Sequence, residues 1–89
     1  ISAKAKLINS VILPPVFIGD DAVIENSIIG PYVSIGAHTL VKDSRISNSI
    51  IQKNCTLKAA MLNNSLLGNF VNFEGKSEDV SLGDYSSSQ

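Results

Sequence analysis

Aliphatic residues recur in this chain every five or six positions, a spacing that neither an α-helix nor an ordinary strand produces. The anchors are Leu7, Ile12, Ile18, Ile24, Ile29, Ile35, Val41, Ile46, Ile51, Leu57, Leu62, Leu67 and Phe73. Two residues before each stands Ala5, Ser10, Val16, Ala22, Ser27, Val33, Thr39, Ser44, Ser49, Cys55, Ala60, Ser65 or Val71. All thirteen are Ala, Ser, Thr, Val or Cys, types that fill only 29 of the 89 positions, so the second pattern is an independent check on the first. Residues two apart on a strand share a face, so one small and one large side chain point inward together on each short side.

A two-residue inward pair followed by a corner, repeated three times, brings the chain back above its start. Ile12 to Ile29 is 17 residues, Ile29 to Ile46 is 17 and Ile46 to Leu62 is 16. The predicted fold is all-β: about four to five triangular coils of 16–18 residues, stacked roughly 4.8 Å apart as parallel strands. Three interior columns follow: Ile12, Ile29, Ile46 and Leu62; Ile18, Ile35, Ile51 and Leu67; Leu7, Ile24, Val41, Leu57 and Phe73. Such stacking needs only neighbouring coils to bury a core, and a chain of 89 residues forms one domain.

The tetrapeptide Asn-Ser-Ile-Ile, at residues 26–29 and again at 48–51, shows the assignment at work. Asn turns the corner through its tolerance of the left-handed conformation, Ser faces in, the first Ile faces out and the second anchors the next side. Other corners fall at Pro14-Pro15, Asp20-Asp21, Pro31, Ala37-His38, Asn54 and Asn69-Phe70. Residues 1–89 are read as one domain with coils over about 5–85. A loop is expected over about 74–79 and a frayed tail over 85–89.

The repeat resembles the hexapeptide repeat of left-handed parallel β-helices, and left-handedness is what that resemblance implies. The run "VFIGDDAVIENSIIGPYVSIGAHTLVKDSRISNSII" and the closing Leu82-Gly83-Asp84 resemble the C-terminal β-helix of sugar-1-phosphate nucleotidyltransferases, especially long-form glucose-1-phosphate thymidylyltransferases. In that family an N-terminal domain, absent from these residues, joins a nucleoside triphosphate to a sugar 1-phosphate with Mg²⁺ and releases pyrophosphate. The resemblance implies a non-catalytic structural and oligomerisation module, with no cofactor of its own. The chain opens without Met and is expected to be a piece of a longer, cytoplasmic protein.

The competing expectation is an acyltransferase domain with His38, the sole histidine, as general base. Ser27, Ser44, Ser49 and Ser65 occupy repeat positions, where hydroxyls bond to neighbouring coils rather than attack substrates. Cys55 falls at an inward position and reads as a buried thiol. One cysteine and one histidine do not make a zinc site, and a formal charge of −1 gives no case for nucleic acid or an anionic membrane. No apolar run approaches a membrane span in length.

Outward positions supply candidate contacts. Phe17, Ile50 and Leu66 share a column with Ser34, while Val23 with Leu40 and Ile28 with Met61 form smaller patches. The expected partners are the N-terminal nucleotidyltransferase domain, or further copies of the chain, held through this outer apolar column. The side carrying Glu25, Lys42, Lys58 and Glu74 reads as solvated. Both open ends of the coil expose strand edges that call for capping.

Overall fold

Short strands separated by tight corners follow directly from the repeat, because each inward pair leaves only two or three residues extended before the chain turns. A computed structural model describes residues 3–78, 81–84 and 87–88. The first coil comprises β1 (Lys6–Ile8), β2 (Val11–Ile12) and β3 (Val16–Ile18). The second comprises β4 (Val23–Glu25), β5 (Ile28–Ile29) and β6 (Val33–Ile35). The third comprises β7 (Leu40–Lys42), β8 (Arg45–Ser47) and β9 (Ile50–Ile51). In the fourth, β10 (Thr56–Asn63) spans two sides and β11 (Leu66–Leu67) the third. Above them lie β12 (Asn72–Glu78), β13 (Ser81–Leu82) and β14 (Ser87–Ser88). No helix occurs among the described residues, and none is long and apolar enough to cross a membrane.

Every pairing is parallel, and the register matches the expected columns residue for residue. Ile12 lies opposite Ile29, Ile29 opposite Ile46 and Ile46 opposite Leu62. Ile18, Ile35, Ile51 and Leu67 stack in the same way. So do Leu7, Ile24, Val41, Leu57 and Phe73. Two of the three sides are continuous through β10, which rounds the corner at Ala59 (φ 49°) with a register shift between Lys58 and Ala60. The third side is a separate five-stranded sheet, β3-β6-β9-β11-β13. The molecule measures 28 × 19 × 19 Å.

The corners explain the step of five or six. Asn9, Asp21, Asn26, Tyr32, His38, Asp43, Asn48, Asn54, Ala59, Asn64 and Phe70 all have φ between 47° and 62°. Asn and Asp supply seven of these because their short polar side chains tolerate the left-handed region best. Corner backbones also join coil to coil: the N–H groups of Asn26, His38 and Asn54 donate to the carbonyls of Ile8, Asp20 and Ala37.

Inside, hydroxyls act as structural ties. Ser27 Oγ donates to the Glu25 carbonyl at 2.8 Å and accepts the Ser44 N–H at 3.0 Å. Ser44 Oγ repeats this with the Lys42 carbonyl and the Ala60 N–H, and Ser49 Oγ with the Ser47 carbonyl and the Ser65 N–H. Each hydroxyl satisfies a buried N–H that the strand ladder leaves over at the corner.

The end of the chain departs from the expected loop. Residues 74–78 belong to β12, which pairs along β10 with Phe73 opposite Leu57 and Ser77 opposite Leu62. The side is short by a residue, with polar Ser77 at the position of an aliphatic anchor, and for that reason the periodicity breaks there in sequence. Asp79, the remainder of the expected loop, lies outside the described residues. Of the expected frayed tail, Ser87 and Ser88 pair with Asn72 and Phe73, while residues 85, 86 and 89 lie outside the described residues.

Candidate functional site

His38 sits at the corner that also carries Asp21 one coil below and Asn54 one coil above. Its φ of 59° and the bond from its N–H to the Asp20 carbonyl fix the backbone there. Nδ1 lies 3.8 Å from Asp21 Oδ2, and both side chains are more than half exposed, at 58% and 53%. Exposed pairs of this kind contribute about 0–1 kcal/mol. The contact sets a carboxylate beside the imidazole at a distance longer than a hydrogen bond. Asp21 was not singled out from sequence, although it precedes His38 by 17 residues, one coil.

Two shallow concavities lie elsewhere, on the third side. One of about 380 Å³ is lined by Pro15, Phe17, Tyr32, Ser34 and Ile50 among others. The other, about 430 Å³, is lined by Ser34, Gly36, Ile50, Gln52, Lys53 and Asn69 among others. Neither is lined by His38.

Ser27, Ser44, Ser49 and Ser65 are all buried, and their hydroxyls are committed to backbone groups. Cys55 is buried too, with Sγ 3.0 Å from the Gly68 carbonyl, and burial pushes its thiol pKa up. A buried, protonated thiol is a poor nucleophile. Among the described residues, no three His, Cys, Asp or Glu side chains converge on a point.

The outer surface divides by side. On the third side the register stacks Phe17, Ser34, Ile50 and Leu66 in one column, with Phe17, Ile50 and Leu66 exposed at 60%, 50% and 44%. No strand residue of this side is charged. The other two sides carry Lys6, Glu25, Lys42, Arg45, Lys58 and Glu74 on their strands. Val23 and Leu40 are neighbours as expected, each half-buried. Ile28 and Met61 are not: Arg45 pairs with both and separates them. The two residues are two coils apart, so the expected joint patch is broken by a cation.

The fold is the left-handed parallel β-helix. UDP-N-acetylglucosamine acyltransferase from Campylobacter jejuni superimposes with a TM-score of 0.56 at 16% identity, over 86% of this chain and 44% of that one. Perosamine N-acetyltransferase from Caulobacter crescentus gives a TM-score of 0.47 at 14% identity, over 92% of this chain and 48% of its own. In sequence, 50 residues are 48% identical to a protein of Schizosaccharomyces pombe described as a "probable mannose-1-phosphate guanyltransferase". That match takes in 54% of this chain and 12% of the length of that protein. No family model matches the chain.

Proposed function

We propose that this chain is the non-catalytic structural module of a sugar-1-phosphate nucleotidyltransferase-like protein, presenting its third side, whose strands carry no charge, to the larger nucleotidyl-transferring domain. The parent protein would join a nucleoside triphosphate to a sugar 1-phosphate and release pyrophosphate, in the cytoplasm. The 50-residue match to a sugar-1-phosphate guanyltransferase carries this reading. The column of Phe17, Ile50 and Leu66 supports it by offering an apolar surface free of strand charges. The identity of the nucleotide, thymidylyl by the resemblance of the "IENS" and "IGPY" runs or guanylyl as in the relative, belongs to the domain that binds it.

A second reading, acyl transfer with His38 as general base, is favoured by the His38–Asp21 contact. Equilibrium binding of acetyl-CoA to the chain and to His38→Ala separates the two. The structural reading expects no saturable binding to either. Tight binding to the wild type that His38→Ala abolishes would overturn it.

A further inference from the structure

The residue after each anchor on the third side is Gly19, Gly36, Gln52, Gly68 and Gly83 in successive coils. Close stacking accounts for glycine there: a Cβ at Gly36 would lie 2.6 Å from the Gln52 carbonyl carbon, and one at Gly68 2.5 Å from Asp84 Oδ1. Gln52 therefore raises a long polar side chain from a strip that holds no side chain in the coil below or the coil above. In the adjacent outer column, Ser34 stands between Phe17 and Ile50, a small hydroxyl between two large apolar side chains. Both departures from the pattern line the same concavity, the one of about 430 Å³, together with Ile50, Lys53 and Asn69.

The polar groups around this concavity are available. Asn69 Oδ1 accepts the Lys53 N–H at 3.0 Å, which sets the amide and leaves Nδ2 as its free donor. The side chains of Ser34, Gln52 and Lys53 have no partner among the described residues. Lys53 is the one cation lining the concavity, and no carboxylate lines it. Asp84, one coil above Asn69, has its Oδ1 engaged by the Asn69 N–H at 2.8 Å. Ile50, 50% exposed, supplies an aliphatic wall.

We propose that this concavity binds a small phosphorylated sugar. The Lys53 ammonium meets the phosphate as a point charge. The Gln52 amide and the Ser34 hydroxyl each donate and accept, as sugar hydroxyls do, and Asn69 Nδ2 adds a donor. Ile50 covers the C–H face of the ring, in the usual division of a ligand site between apolar wall and a few placed polar groups. One cation with no acid beside it disfavours a cationic ligand, and a lone lysine offers no track for a polyanion such as nucleic acid. A space of about 430 Å³ lies toward the small end of ligand sites and suits a single hexose unit. Gln52 and Lys53 are both exposed, so contacts are made in competition with water and dissociation is expected on the order of 1 mM. The proposal does not rest on the nucleotidyltransferase reading, because binding is measured on this chain by itself.

Titration of the isotope-labelled chain with glucose 6-phosphate, read by the NMR shifts of backbone amides, tests it. Saturable shifts are expected at Gly36, Gln52, Lys53 and Asn69. Inorganic phosphate and glucose, each carrying half of the recognised chemistry, should bind at least about fivefold more weakly. Gln52→Gly, which copies Gly36 and Gly68 in the same column, should stay folded and weaken binding of glucose 6-phosphate by about fivefold or more. Lys53→Gln should do the same, whereas Lys58→Gln, which removes a cation from another side, should change nothing. Shifts that do not saturate, or that spread evenly over the lysines of the chain, would overturn the proposal. Equal weakening by Lys58→Gln and Lys53→Gln, unchanged binding in folded Gln52→Gly, or inorganic phosphate binding as tightly as glucose 6-phosphate would overturn it as well.

Discussion

Ser44→Ala isolates what the inward hydroxyls do. Ser44 is 5% exposed, and its Oγ is used twice: it donates to the Lys42 carbonyl at 2.8 Å and accepts the Ala60 N–H at 3.1 Å. Ala60 is fully buried, so no water replaces the lost acceptor. The substitution removes one atom from a small side chain, so the packing loss is minor and the polar term decides. Leaving a buried N–H unsatisfied costs about 1–3 kcal/mol, and relief of the hydroxyl's own desolvation offsets part of that. We expect a net loss of roughly 1–2 kcal/mol, which for a domain of this size lowers Tm by about 4–16 °C. Urea unfolding measures the total, and native-state hydrogen exchange locates it: the Ala60 amide should lose protection more than amides two coils away. Ser10→Ala is the internal comparison, because Ser10 lies in the end coil, half-buried, with a longer 3.3 Å bond to Ser27 N–H, and it should cost less. Ser44→Ala within about 0.5 kcal/mol of the wild type, with Ala60 protection unchanged, would refute the claim that hydroxyls tie the coils together.

Two further outcomes are expected. A Cβ at Gly36 would lie 2.6 Å from the Gln52 carbonyl carbon, whereas one at Gly83 meets nothing within 4 Å. Gly36→Ala should therefore cost about 1–3 kcal/mol in urea unfolding and Gly83→Ala close to none, and equal effects would contradict the close stacking of coils two and three. Cys55 titrates at a higher pH folded than unfolded because burial disfavours its thiolate, so its contribution is intact below the thiol's ordinary value of 9.0 and is lost as pH rises through the folded value. The stability difference between wild type and Cys55→Ser should fall above pH 9.0 with a slope of up to about 1.4 kcal/mol per pH unit. A difference independent of pH would show that the thiol ionises as easily folded as unfolded.

The interior was legible because two constraints repeat together: one small and one large inward residue on each side, and one left-handed corner between sides. Asn26 and Asn48 mark their corners in sequence, and Ile28 and Ile29 fall on opposite faces as their positions require. Legibility failed where a side shortened. From Phe73 to Ser77 the step is four residues and the anchor is polar, so strand pairing with Leu62 leaves no aliphatic signal. The Asp21–His38 contact was within reach of the coil offset, but corners carry no inward residue and so fall outside a pattern built on the core. The bareness of Leu7 was not legible from its type, because periodicity treats every coil alike and exposure depends on what lies beyond the last one.

A β-helix repeats its interior whatever it does, so inward residues alone say little about descent. Each 17-residue coil has six inward positions, three small and three large, which amounts to about 18 in a stretch of 50. The match to the guanyltransferase amounts to 24 identities in 50 residues. Even if every inward position were identical, about six identities would have to fall at corners or on outer faces. The likeness to the acyltransferase at 16% identity needs no such outer agreement and is accounted for by the fold. Outer positions are where substitutions such as Leu66→Ser can separate function from folding. Core changes such as Ile46→Ala, at a fully buried anchor, would remove both at once.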